Sequence, residues 1–180
     1  PDGNQNDDIW IVDAEIGEEE GGLIQVTQNP GSDSSPAWSP DGREIAYRTS
    51  VEPEKIWYAT THLAITKADG NGPERLITKE LDRNVGSPKF SENGNQIWFT
   101  FEDAGERHLV TVNRNGTGFE RVVTGQVSVR DFDLDNSQGV VLMGRFNEPH
   151  EVYSFDDGSV MQLTHENRDY LAELVAPDVE

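Results

Sequence analysis

The four histidines of this 180-residue sequence are its most obvious candidates for acid–base or metal chemistry. A metal site or a general base needs partners that converge on the imidazole, often from roughly three to five residues away in sequence. No two of these histidines have that spacing, and each lies in or beside a predicted strand or turn. We therefore expect structural or surface roles for all four, which are His62, His108, His150 and His165.

Aspartates alternate in the segment DFDLDNSQG, where Asp131, Asp133 and Asp135 resemble the first ligands of a calcium-binding loop. Such a loop needs a bidentate Glu at its twelfth position. Counted from Asp131 or from Asp133, that position holds Leu142 or Gly144. The segment is better explained as a hairpin, so we predict no metal-ligating residue and no cofactor.

Two further kinds of chemistry lack their motifs. The glycine-rich stretch from Gly70 to Glu74 is followed by neither a Lys nor a predicted helix, which a phosphate-binding loop needs. There is no cysteine, and the Gly-x-Ser-x-Gly motif that presents the nucleophile of α/β-hydrolases does not occur. We predict no catalytic residue in this chain.

The charge of the chain argues against nucleic acid as a partner. Asp and Glu number 34 against 14 Lys and Arg, and the resulting formal net charge of −20 repels a phosphate backbone. The densest acidic run, Glu18 to Glu20, is expected to be a solvated surface. Because the apolar runs are far shorter than the roughly 20 residues that cross a bilayer, we also expect no membrane partner. The lack of cysteine is compatible with both the cytoplasm and the periplasm.

A segment of the sequence recurs, and this repeat determines the fold prediction. SPAWSPDGREIAYRT, from Ser35 to Thr49, aligns with SPKFSENGNQIWFTF, from Ser87 to Phe101. Both contain Ser-Pro, an aromatic residue, a Ser, a turn ending in Gly and an alternating apolar strand. Trp38 and Phe90 share one slot 52 positions apart, and a weaker third copy without the Ser-Pro places Phe132 there 42 positions later.

Hairpin turns and threonines recur with a period similar to that of the repeated segment. Asp-Gly or Asn-Gly, the strongest short signal for a β-hairpin, begins at Asp69, Asn115 and Asp157. A β-sandwich also contains many short strands, but it does not require its turns, aromatics and closing residues to recur in phase. The closing residue of each copy is a threonine; the four are Thr27, Thr78, Thr124 and Thr164.

Four short strands at a period of about 40 to 50 residues are typical of β-propeller blades. We predict an all-β fold, a partial β-propeller of about three and a half four-stranded antiparallel blades in an open arc. The predicted divisions are the last two strands of a truncated blade at 1–33, blades at 34–83, 84–125 and 126–168, and an exit segment at 169–180. The third strand of the first complete blade is predicted from Trp57 to Lys67, and helical periodicity is confined to Glu166 to Leu174.

A blade buries its faces only by stacking on its neighbours. Alternating residues supply those faces along the strands that begin at Ile45 and Ile97. The two ends of an open arc leave strand edges unpaired, so we expect self-association or contact with further blades. Packing between blades, rather than a ligand platform, is predicted for the aromatics Trp10, Trp38, Trp57, Trp98 and Phe90.

The stretch SPAWSPDGREIAY resembles the blade motif shared by the propeller of the Tol periplasmic protein and the N-terminal propellers of the prolyl oligopeptidase family of serine peptidases. VMQLTHENRDYLAEL, from Val160 to Leu174, is similar to the junction at which the acylaminoacyl-peptidase and dipeptidyl-aminopeptidase branch leaves its last blade. The matching residues are Gln162, Leu163, Thr164, Asn167 and Leu171.

In that family an α/β-hydrolase domain follows the junction and carries the Ser, Asp and His of catalysis. The resemblance therefore implies a non-catalytic propeller fragment that gates the access of peptides to a hydrolase domain outside this sequence. Its implied partners are that domain, the remaining blades and, through the parent enzyme, a peptide substrate. The alternative is a Tol-like propeller that acts as a scaffold for protein partners.

Overall fold

The computed structural model describes residues 6–17 and 21–173, and these residues form short β-strands with very little helix. The acidic run Glu18 to Glu20 lies outside the described residues, as does the end of the exit segment, 174–180. The nearly all-β prediction is confirmed.

The strands group into one pair and three four-stranded units. The first pair joins β1 (Trp10–Val12) to β2 (Leu23–Gln25). The second unit runs in the order β3 (Asp33–Trp38), β4 (Glu44–Thr49), β5 (His62–Lys67) and β6 (Arg75–Leu76). The third unit contains β7 (Lys89–Phe90), β8 (Gln96–Asp103), β9 (Glu106–Asn113) and β10 (Glu120–Val123). The fourth contains β11 (Ser128–Asp135), β12 (Gln138–Arg145), β13 (Glu148–Asp156) and β14 (Ser159–Gln162).

Within each unit neighbouring strands are antiparallel, so successive connections alternate between two ends. A single parallel bridge between Ser128 of β11 and Arg107 of β9 joins the third and fourth units into one sheet. We call the end at which the first strand of each unit turns into the second the turn end; its connections are 39–43, 68–74, 91–95, 114–119, 136–137 and 157–158. The opposite end is the loop end, formed by 50–61, 77–88, 104–105, 124–127 and 146–147.

Three apolar layers fill the spaces between consecutive groups of strands, as stacked blades require. Between the first pair and the second unit lie Ile9, Val26, Ile45, Tyr47, Ala64 and Ala68. Between the second and third units lie Ala46, Leu63, Ile65, Val85, Ile97, Phe99, Phe101, Val110 and Val112. Between the third and fourth units lie Trp98, Leu109, Val123, Val127, Val129, Phe132, Val141, Met143, Tyr153 and Phe155.

The central strands are buried on both faces because successive residues point into different layers. Tyr47 of β4 faces the first pair, whereas its neighbour Ala46 faces the third unit. In β8, Phe99 packs toward the second unit and Trp98 packs toward the fourth, with its ring centroid 5.8 Å from that of Phe155. The predicted apolar alternation is confirmed on these strands.

The recurrent Ser of the turn motif closes the hairpin between the first two strands of a unit. The buried Ser39 hydroxyl donates to Asp41 Oδ1 (2.6 Å) and accepts from the backbone N–H of Glu44 (2.9 Å). Ser91 repeats this arrangement with Asn93 (3.0 Å) and the N–H of Gln96 (3.0 Å). The Ser-x-Asp/Asn motif therefore stabilises the hairpin turn through side-chain hydrogen bonds.

The recurrent closing threonine ties the fourth strand of a unit to the third. Its hydroxyl accepts a hydrogen bond of 2.9 Å from a backbone N–H in or directly before that strand in three of the four repeats. Thr124 is exposed, and the hydrogen bonds of the described residues include none of this kind for it. The three donor and acceptor pairs are Ile9 with Thr27, Leu63 with Thr78, and Val152 with Thr164.

Two expectations about local structure are wrong. The strand predicted to begin at Trp57 begins at His62, and a 3₁₀ helix (Pro53–Tyr58) precedes it. Pro53 has a φ suited to the first turn of a helix, and Lys55 Nζ lies 2.6 Å from Glu52 Oε1 one turn earlier. These local preferences override the β-propensity of the following aromatic residues.

The second error concerns the aromatics. Trp98 is buried and Phe90 packs against the layer between the second and third units, but Trp10 and Trp38 are 50% and 53% exposed. The side chain of Trp57 lies outside the described part of the structure. The helix expected from Glu166 to Leu174 is the single turn and a half of α1 (Arg168–Ala172).

Candidate functional site

The first strands of the three units converge along one edge, which we call the inner edge. The hydroxyl groups of Ser35 and Ser87, from the two Ser-Pro copies, lie 3.2 Å apart and link β3 to the segment before β7. Lys89 of β7 then reaches β11, where its Nζ donates to the Phe132 carbonyl (2.5 Å) and to Asp133 Oδ1 (3.0 Å). The Ser-Pro motif thus contributes a contact between units that the sequence did not predict.

A cleft of about 390 Å³ opens beside this inner edge, toward the loop end. We call it the inner cleft. It takes residues from all three four-stranded units, and the loop before β7 contributes to it as well. Its chemically distinctive lining residues are Arg48, Lys89, Glu102, Arg107, Arg130 and Asp131.

Four of those six side chains are basic, although the chain as a whole carries a net charge of −20. Two of the four are neutralised. Lys89 pairs with Asp133, whose pKa it lowers mainly through their hydrogen bond, and Arg107 pairs with Glu102. Arg48 and Arg130 have no carboxylate partner among the described residues.

A second cleft of about 370 Å³ lies farther toward the loop end. Its Asp103 accepts from Arg121 (2.5 Å) and from Arg83 (3.1 Å), and the hydrogen bond from Arg121 is the main reason that the pKa of Asp103 is lowered. These groups satisfy one another, so this cleft offers less unpaired charge than the inner cleft.

Two of the four histidines occupy equivalent buried positions at the start of the third strand. His62 and His108 lie 46 residues apart, in phase with the hairpin turns of the same units. Because Arg121 can only donate, its Nη1 contact of 3.3 Å makes His108 Nδ1 the acceptor. The proton then lies on Nε2, which faces Glu106 Oε2 (3.0 Å) and the carbonyl of Gly125 (3.1 Å). The sequence contained this phase relation, which a search for metal spacing misses.

The remaining histidines and the alternating aspartates are dispersed. His150 and His165 are exposed. Asp131 accepts from the N–H of Phe132 (2.8 Å), whereas Asp133 binds Lys89 and Asp135 lies at the end of β11. Within residues 6–17 and 21–173 no cluster of three potential metal ligands is found. Gly70 to Glu74 forms the hairpin between β5 and β6.

The exit segment after β14 is held by one carboxylate. Glu151, a buried residue of the third strand of its unit, accepts from the Thr164 hydroxyl and from the backbone and side-chain nitrogens of Asn167 (3.0 and 3.1 Å). The Thr164 hydrogen bond is the main reason that the pKa of Glu151 is lowered to about 2. Two residues of the junction motif thereby fix where the chain leaves the fourth unit.

No helix in the described ranges combines the length and the apolarity needed to cross a bilayer.

Comparison with known proteins identifies the fold. The dipeptidyl-peptidase 5 of Porphyromonas gingivalis is 24% identical over 147 residues, which are 80% of this chain and 21% of that protein. The acylaminoacyl peptidase of Pyrococcus horikoshii matches with a TM-score of 0.65 at 21% identity, covering 87% of this chain and 23% of that one. TolB from Acinetobacter baumannii matches with a TM-score of 0.61 at 22% identity, covering 88% and 38%. No protein-family model matches the sequence.

The chain thus spans about a fifth of the length of the two peptidases to which it is similar. Its three stacked units correspond to blades, since the matched structures include β-propeller domains. The predicted resemblance to the propellers of acylaminoacyl-peptidase-like enzymes and of TolB is confirmed, and the chain has the fold of a partial β-propeller.

Proposed function

We propose that this chain is part of the N-terminal propeller of a serine peptidase of the prolyl oligopeptidase family, in which it controls the access of peptides to a following hydrolase domain. The observation that carries the proposal is the exit segment. Thr164 and Asn167, both part of the junction motif, bind the single carboxylate of Glu151 at the point where the last unit ends. A fixed exit is what a propeller needs if the next domain must sit at a constant position over its channel.

The inner cleft supports the same function. It lies where the first strands of the units converge, which in a propeller is the side of the central channel, and polar and charged groups line it. Access control through such a channel depends on the width of the opening, so short peptides enter and folded proteins do not. The chemistry of peptide cleavage would belong to the Ser, Asp and His of the following domain.

The parent protein provides the test. We expect a Gly-x-Ser-x-Gly motif roughly 100 to 150 residues after Glu180, as in the family that the chain resembles. The purified parent should react covalently with a fluorophosphonate probe, and changing that Ser to Ala should abolish both the labelling and the cleavage of short peptides. A folded protein of the same cleavable sequence should remain intact.

A parent that lacks the motif and does not react with the probe would contradict this function. It would favour the scaffold role expected of a Tol-like propeller, which pull-down of protein partners through the rim would then test. A parent that cleaves short peptides and folded proteins at equal rates would leave the peptidase assignment in place and contradict the gating role.

A further inference from the structure

Arg48 and Arg130 depart from the repeat at positions that both line the inner cleft. In the alignment of the aromatic slots, Arg130 stands where the earlier copies have Pro36 and Pro88, and Arg48 stands where the third unit has Thr100. The fold does not demand an arginine at either position, since other copies form their strands without one. Residues that break a structural repeat in this way are candidates for function.

One donor of Arg48 lacks an acceptor. Its Nε is buried, and no hydrogen-bond partner for it occurs in the described structure. A buried donor without a partner costs about 1–3 kcal/mol, and more when the group is charged. Arg130 is exposed at the same cleft, also without an ion pair in the described residues. An anion bound in the cleft that both residues line would supply an acceptor to each guanidinium group.

The charges that line the inner cleft favour an anion, and the volume of the cleft limits its size. The lining includes four basic and two acidic side chains, and after Asp133, which pairs with Lys89, is counted, one positive charge remains in an otherwise acidic protein. Arginine binds carboxylates through two parallel hydrogen bonds, which gives this pair both strength and directional preference. The volume of about 390 Å³ accommodates the terminal residues of a peptide rather than a folded partner.

We infer that Arg48 and Arg130 form a binding site for the carboxylate of a peptide, at its C-terminus or on an acidic side chain. The choice of a peptide as the source of the carboxylate rests on the proposed function. The anion site itself follows from the cleft and its two unpaired arginines. Peptides that carry a carboxylate would be retained at the inner edge, and their neutral counterparts would not.

Titration of the protein of this sequence with two acetylated tetra-alanine peptides tests the inference. One peptide ends in a free carboxylate and the other in a carboxamide, and binding is followed through the Arg Nε–Hε signals in ¹⁵N-resolved NMR spectra. We expect the carboxylate peptide to bind about tenfold more tightly, and R48Q and R130Q each to weaken it by about tenfold. Arg43→Gln removes an exposed arginine at the turn end and should change binding less than about twofold.

Equal binding of the two peptides would overturn the inference, as would an equal effect of R43Q, which would indicate general attraction by charge. Tighter binding of inorganic phosphate than of the carboxylate peptide would overturn the assignment of a peptide. Dispersed spectra and an unchanged unfolding midpoint show that each variant is folded, and the exposed Arg130 provides a test even if R48Q is unstable. The measurement needs no peptidase activity, so its failure is distinct from failure of the proposed function.

Discussion

The hydrogen bond of the closing threonine explains why threonine recurs at the end of the repeats. Thr78 is buried, and its hydroxyl is the acceptor for the buried N–H of Leu63. The sequence predicted the rhythm of this residue but not its role, because the donor lies 15 positions earlier and only the register of the third and fourth strands brings the two together.

Thr78→Val should therefore destabilise the protein by about 1–3 kcal/mol, since it leaves a buried N–H without an acceptor while the volume of the side chain hardly changes. Thr124→Val is the matched control. Its threonine is exposed and has no such bond, so we expect a change within about 0.5 kcal/mol. Urea unfolding of both variants measures the difference, and equal losses would contradict the role of the hydroxyl.

Glu151 should make stability depend on pH through the exit segment. Its pKa is lowered to about 2 in the folded protein from 4.5, so its contribution is fully present above about pH 4.5 and is lost as the pH falls toward 2. Glu151→Gln should remove this part of the dependence. The difference in unfolding free energy between the wild type and E151Q should shrink from pH 6 to pH 3.

Thr164→Val removes the hydrogen bond that mainly lowers this pKa. It should therefore move the loss of the Glu151 contribution to higher pH. A difference between the wild type and E151Q that is the same at pH 3 and pH 6 would mean that Glu151 does not hold the exit segment in its ionised form.

At the scale of elements, the turn end joins neighbouring units by charge. Arg114, in the hairpin of the third unit, donates to Glu44 Oε2 (2.6 Å) and to Asp41 Oδ2 (3.2 Å) of the second unit. Glu44 Oε1 also accepts a hydrogen bond from Arg75 Nη2 of its own unit (3.3 Å). This small network crosses the boundary between two sheets that are not joined by strand pairing.

Arg114→Gln should cost about 1 kcal/mol at low salt, and the cost should fall in 1 M NaCl because partly exposed charges are screened. Arg145→Gln is the control, since Arg145 pairs with Glu148 within a single hairpin. Thermal unfolding at both salt concentrations measures the two effects. A larger loss for R145Q would contradict the importance of the link between units.

The sequence predicted elements best where the turn chemistry is local. The Asp-Gly and Asn-Gly hairpins and the strands beside them were identified because a few adjacent residues determine them. The 3₁₀ helix Pro53–Tyr58 was missed because its aromatic residues have high β-propensity. The ion pair between Glu52 and Lys55 supports the helix, but a single pair of charged residues produces no hydrophobic periodicity in the sequence. The inner cleft could not be predicted, since its distinctive side chains come from five strands in three units, and their separation in sequence does not show that they converge.

At the scale of the whole molecule, the exposed outer faces of the partial propeller determine whether it self-associates. Phe132 lies within the apolar layer between the third and fourth units, and Phe90 packs against the layer before it. Trp38, in the same slot, is paired across the strands with Ile45 of the layer beside the first pair, where the structure describes only two strands, and it is 53% exposed. Its exposure therefore marks an apolar surface that a further strand or a second copy would cover.

We expect this surface to promote self-association, which sedimentation velocity over a wide range of concentrations would detect. Trp38→Ser should weaken the association. Tyr58→Ser removes an aromatic side chain that is even more exposed, at 89%, but lies in the loop-end helix and not on a blade face, so it should have little effect. A monomer at every concentration, or equal effects of the two changes, would contradict association through the Trp38 face.

The uneven spacing of the repeats has a consequence for how such a molecule diversifies. The second unit is longer than the others mainly because of its loop-end connections, 50–61 and 77–88, whereas the first hairpin turn of the second and third units keeps the same Ser-anchored form. Insertions and deletions at the loop end would leave the strand pairing within each unit intact. A change in the length of a loop-end connection would therefore alter the loops beside the inner cleft, while the opposite end keeps its Ser-anchored hairpins and the ion pair that joins neighbouring units.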